Sequence, residues 1–101
     1  MATPIEIKDK MASFVEKIST EKKPITYTEG KKFYKLIEPS GTYGNSAFAF
    51  IDKNTGDIFK CASWNAPAKG VRGNVLSEQN GMESVNNDYG FWSINYNRKG
   101  W

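Results

Sequence analysis

The chain has 101 residues, 39% hydrophobic, 25% charged and 14% aromatic, which is apolar mass for one modest core and a single domain over 1–101. It contains no His and one Cys, Cys61, which excludes imidazole triads, His metal sites, internal disulfides and Cys-rich zinc sites; no cofactor or metal is expected. The net charge of +3 is mildly basic and not that of a polycation.

The opening MATPIEIKDK has no apolar run behind a basic start, so neither a signal peptide nor a membrane span is expected, and the lone Cys reads as intracellular. Instead it carries helix punctuation. Thr3 can cap, Pro4 suits the first helical position, and Glu6 completes a T-x-x-E capping box. Ile7, Met11, Phe14, Val15 and Ile18 form one stripe at the helical period, with Lys8, Asp9, Lys10, Glu16 and Lys17 facing away. This predicts a helix over 4–19 that covers a sheet, ended by the approach to Pro24.

From Ile25 the pattern turns to β. Ile25 to Thr28 and Phe33 to Glu38 read as strands, and Ser46 to Asp52 with Asp57 to Trp64 as a hairpin around Lys53-Asn54-Thr55-Gly56, where Gly56 supplies a positive φ. Phe48 and Phe50 alternate with Ala47, Ala49 and Ile51, so both faces of that arm read as partly covered. Phe14, Phe48, Phe50 and Trp64 are the expected aromatic core. Val71 to Leu76 reads as a turn running into a strand, Ser77 to Gly90 as a long polar loop, and Phe91 to Asn97 as a final strand. Exposed aromatics at Tyr89, Phe91, Trp92, Tyr96 and Trp101 would offer a contact surface.

Catalytic chemistry finds little support. Asp52 and Asp57 are explained as turn residues, Cys61 in mid-strand as a small apolar side chain without a base to activate it, and Gly70-Val71-Arg72-Gly73 is not a P-loop. The protein is therefore expected not to be an enzyme. Binding chemistry survives: Phe59 to Val75 holds Lys60, Lys69 and Arg72 with no acid, alongside Trp64 and flexible glycines. Such a segment can stack a base while cations hold phosphates, which nominates Arg72, Asn74, Lys69 and Lys60.

Two resemblances add to this. The run from Ser46 to Val75, S-A-F-A-F-I-D-K-N-T-G-D-I-F-K-C-A-S-W-N-A-P-A-K-G-V-R-G-N-V, resembles a family of small uncharacterised proteins of marine tailed phages, including those of cyanobacteria. It implies expression in the cytoplasm of an infected bacterial host and no particular activity. The capped helix followed by short strands, with V-R-G-N-V-L at Val71 to Leu76, is similar to the Sm-like barrel and its second motif. That likeness implies an RNA pocket lined by Arg72, Gly73 and Asn74, a homo-oligomeric ring joined edge to edge, and first-motif positions at Asp52 and Asn54. Asp52 and Asn54 stand two residues apart here, and Gly56 occupies the family's Asn position.

The expected fold is α+β and mainly β: the N-terminal helix packed on a strongly bent five-stranded antiparallel sheet or small barrel over 25–97. The expected function is non-enzymatic binding of RNA or other single-stranded nucleic acid. The alternative is a phage structural protein or one that binds a host protein.

Overall fold

In the computed structural model, residues 3–21, 23–39, 44–88 and 91–94 are described; the side chains of Pro4, Asn87, Asp88 and Phe91 to Ser93 are not. Helix α1 (Pro4–Ile18) starts as its residues dictate: Thr3 is extended, and its Oγ1 accepts a hydrogen bond from the Glu6 N–H at 3.1 Å. It ends at Ser19, whose N–H reaches the Val15 carbonyl and whose Oγ accepts from the Ile25 N–H at 2.9 Å. The chain thereby turns straight into the sheet.

Five strands follow in antiparallel order: β1 (Thr26–Glu29), β2 (Phe33–Pro39), β3 (Asn45–Asp52), β4 (Asp57–Ser63) and β5 (Ala66–Asn74), each paired with the next. The sheet is open. The barrel alternative is thus corrected, because β5 pairs with β4 and never returns to β1. The β3–β4 turn closes as expected, with the Gly56 N–H on the Asp52 carbonyl at 2.9 Å and Gly56 at φ +81.

Three other expectations change. Strand β5 begins at Ala66, well before Val71, and accommodates Pro67 because an edge strand can spare that donor. The expected loop at 77–90 contains a short 3-10 helix, Met82–Ser84, and β6 (Val85–Asp88). The last strand, β7 (Phe91–Ile94), pairs with β6 in a separate two-stranded sheet and does not join the five. Polar composition hid β6, since V-N-N-D offers one apolar residue to a period-2 pattern. Residues 95–97 of the expected strand, together with Tyr89, Tyr96 and Trp101 of the expected contact surface, lie outside the described residues.

The stripe of α1 and the inward residues of the sheet make one core, with Ile7, Met11, Phe14 and Ile18 against Tyr34, Leu36, Ala49, Ile51 and Ile58. Val85 and Ile94 join the same cluster, so the small sheet contributes to the helix side. Phe48 reaches this core and Phe50 does not, against simple alternation. The register explains it: Leu36 faces Ala49 while Ile37 faces Ala47, so Phe48 is an extra residue bulged out of the β3 ladder. The bulge turns Phe48 toward the helix, whereas Phe50 stays on the opposite face.

Phe14 is fully buried, so Phe14→Ala should cost about 3–5 kcal/mol in urea unfolding. Ile5, on the same helix but 74% exposed, should tolerate Ala within about 0.5 kcal/mol.

Candidate functional site

The structure brings part of the nominated set together at the β3–β4 turn. Asp52 Oδ1 accepts from the N–H groups of Asn54 (2.7 Å) and Thr55 (3.1 Å), which fixes the turn. Asn74 lies against that turn, its Nδ2 donating to the Thr55 carbonyl and to Asp57 Oδ1, both at 2.9 Å, and its Oδ1 accepting from the Leu76 N–H at 2.7 Å. Its own N–H donates to Glu83 Oε2 at 2.9 Å. These polar groups are engaged with one another, and of them Asn54 and Thr55 are exposed while Asp52, Asp57, Asn74 and Glu83 are half-buried.

Arg72 is 6% exposed. Ile58 pairs with Gly73 and Phe59 with Val71, so Arg72 is the extra residue of a bulge in β5. Its guanidinium Nη1 folds back onto the carbonyls of Gly70 (2.9 Å) and Lys69 (3.2 Å), bracing the irregular strand around Gly70 at φ +98. Gly73 beside it is buried for want of space: a Cβ there would lie 2.8 Å from Glu83 Oε2 and 2.9 Å from Ser84 Cβ. Lys69 is exposed on β5. Lys60 is elsewhere. It pairs with Ala49, which faces the core, and lines a cleft of about 180 Å³ with Lys23, Glu38 and Cys61, where Lys23 and Glu38 form an ion pair at 3.0 Å. Burial pushes the half-buried Cys61 thiol up to about 11, so it stays neutral at pH 7.

A different surface carries the exposed binding chemistry. On the sheet face turned away from α1, Lys35, Phe50, Phe59 and Val71 follow one another across β2 to β5 in direct register. The Phe33 ring stands edge-on to Phe50 at 5.8 Å and to Phe59 at 6.0 Å, making an aromatic cluster separate from the main core. Phe50 is buried by these neighbours at 4% exposure, whereas Phe33 and Phe59 remain half-exposed. Lys32 lies 5.4 Å from the Phe33 ring centroid.

Trp64 completes this face instead of entering the core. Strand β4 stops at Ser63, which pairs with Ala66, so Trp64 and Asn65 form the hairpin tip with no layer above them. Trp64 is 46% exposed, and the Lys35 ammonium sits 4.2 Å from its ring centroid while donating to Asn65 Oδ1 at 3.0 Å. Sequence reasoning nominated the basic stretch after Phe59 and missed Phe33, Lys35 and Phe59 as a group. The signal was the period-2 pairing of Phe33 with Lys35, which places both on one side of β2.

A family model described only as a family of unknown function matches residues 4–96. Neither a curated protein nor a solved structure matches the chain.

Gly73→Ala should destabilise the fold by about 1–3 kcal/mol through overpacking at Ser84, and Asn54→Ala should leave unfolding unchanged within about 0.5 kcal/mol. The raised thiol should make Cys61 alkylate roughly tenfold more slowly in the native than in the denatured chain at mildly alkaline pH, as followed by mass spectrometry.

Proposed function

The chain belongs to that family, DUF7717, and from its own residues we propose that it is a non-enzymatic module binding single-stranded nucleic acid, RNA foremost, on the face of the sheet opposite α1. The observation that carries this reading is the Phe33–Phe50–Phe59 cluster with Lys31, Lys32 and Lys35 around it and Trp64 at its border. Half-exposed rings offer π-faces to unstacked bases, and ammonium groups beside them attract the phosphates that link those bases. Duplexes keep their bases stacked inside and would find only the cations.

Relative to the sequence reading, the binding role moves from the Arg72-Gly73-Asn74 turn to this face. The guanidinium of Arg72 is folded onto its own strand, and the amide of Asn74 is bonded to the neighbouring turn. The resemblance over Ser46–Val75 adds the cytoplasm of a phage-infected bacterium as the proposed setting. Ring assembly is not needed by this reading. Strand β1 is four residues long and wholly exposed, ending at Glu29, and β5 carries register shifts and Pro67; short, charged and irregular edges discourage pairing between copies.

The test is fluorescence anisotropy with labelled single-stranded RNA, single-stranded DNA and duplex RNA at two salt concentrations. Single strands should bind more tightly than duplex, and affinity should fall with salt. Phe59→Ala and Trp64→Ala should each weaken binding roughly fivefold to hundredfold. Lys35→Ala should reduce the salt slope by about one, whereas Lys60→Ala, on the helix side, should leave binding unchanged. Absence of binding to any single strand at low salt refutes the proposal and leaves this aromatic face to a protein partner.

A further inference from the structure

The β4–β5 hairpin parts from the rest of the sheet halfway along. Strand β3 pairs with β2 as far as its first residue, Asn45, and β4 pairs with β5 as far as Ser63. Between β3 and β4 themselves, the register runs only from Ile51 with Ile58 to Ala49 with Lys60. Past that point the two strands border a cleft of about 360 Å³, with Asn45 to Ala47 on one wall and Cys61 to Trp64 on the other. The parted half of the hairpin, Cys61 to Gly70, is an arm. It carries register shifts and a positive φ at Gly70, and its residues from Ala62 to Ala66 are exposed.

One lysine sets where the arm points. Phe59 stands level with Lys35 two strands away, and Trp64 lies five residues further along β4. In a flat sheet Trp64 would be about 16 Å along and about 10 Å across from Lys35, beyond the joint reach of the two side chains. Their contact at 4.2 Å therefore requires the arm to bend toward β2, which brings its tip to the border of the aromatic cluster without covering it. Among the described residues, the ring contact and the side-chain hydrogen bond that tie the arm to another strand both end on Lys35: its ammonium at the Trp64 ring, and its donation to Asn65 Oδ1 at 3.0 Å.

Both of these partners are neutral, and a phosphate oxygen takes an ammonium more strongly than an amide oxygen does. Resting on the nucleic-acid reading above, we infer that Lys35 latches a hinged arm, and that a strand's phosphate draws the ammonium away, releasing the arm and freeing for a base the face of Trp64 that Lys35 covers. The latch and the strand compete for one ammonium. A variant that loses the latch but keeps Lys35 has its binding-competent form populated in advance.

Cys61 borders the cleft where the arm parts from β3, so its alkylation by iodoacetamide, followed by mass spectrometry without nucleic acid, reads arm opening. Asn65→Ala and Lys35→Ala should each alkylate at least about threefold faster than the native protein, and Lys32→Ala, outside the latch, at the native rate. The nearby Lys35 charge favours the thiolate, so its loss alone would slow the reaction, and acceleration in Lys35→Ala reports exposure. Melting checks that each variant is folded at the assay temperature. An unchanged or slower rate in either latch variant overturns the latch. Anisotropy with single-stranded RNA then tests the coupling: Asn65→Ala should bind about two- to fivefold more tightly than the native protein. Equal or weaker binding overturns release by phosphate and leaves single-strand binding in place. Failure of RNA to bind either protein overturns both strand binding and release, while the latch stands or falls on the alkylation rates.

Discussion

One helix can cover one side of a five-stranded sheet and no more, and most of the molecule's organisation follows from that limit. The stripe from Ile7 to Ile18 is long enough to bury Tyr34, Leu36, Ala49, Ile51 and Ile58 beneath it. The small β6–β7 sheet adds Val85 and Ile94 to the same side. Nothing among the described residues is layered over the other side, so its apolar residues must shelter one another. Phe33, Phe50 and Phe59 do so through edge-to-face contacts, which buries Phe50 but leaves its two neighbours partly in water. A half-sheltered aromatic cluster ringed by lysines is thus a direct result of there being one α-helix among the described residues.

How far this was readable in the amino-acid order differs by element. Thr3, Pro4 and Glu6 marked the start of α1 because capping is local, and Gly56 marked the β3–β4 turn for the same reason. The faces of β3 were not readable, since alternation assigns Phe48 and Phe50 to one side until a bulge is known, and a bulge is visible only against the partner strand. Trp64 was misplaced by a similar omission. Bulk favours burial, but a residue at a hairpin tip has nothing above it to be buried by.

The V-R-G-N-V-L segment shows how a motif can be real in its spacing while its side chains look inward. The segment does meet the β3–β4 turn, through Asn74 on Thr55 and Asp57. Yet contact between the two is made by the very groups that a ligand would need. The requirement for Gly73 comes from Glu83 and Ser84 in the following turn, a segment that composition marked only as polar. Sequence could show which residues were chemically capable there, and only the fold shows how they are employed.

The turn at 77–84 has one further contact that reaches across the molecule. Asn80, at φ +56, is buried and donates through Nδ2 to the Lys10 carbonyl in mid-helix and to the Val75 carbonyl just past β5, at 3.0 and 2.9 Å. One side chain therefore joins the first element of the chain to the end of its main sheet. Gly81, next to it at φ +83, packs so closely that a Cβ would lie 2.6 Å from Ile58 Cδ1 and 3.1 Å from Phe14 Cδ1, so a side chain there would have to displace them. Local opening of this segment would break helix and sheet contacts together, so its amides should exchange with solvent as part of the global unfolding unit and not as those of a surface loop.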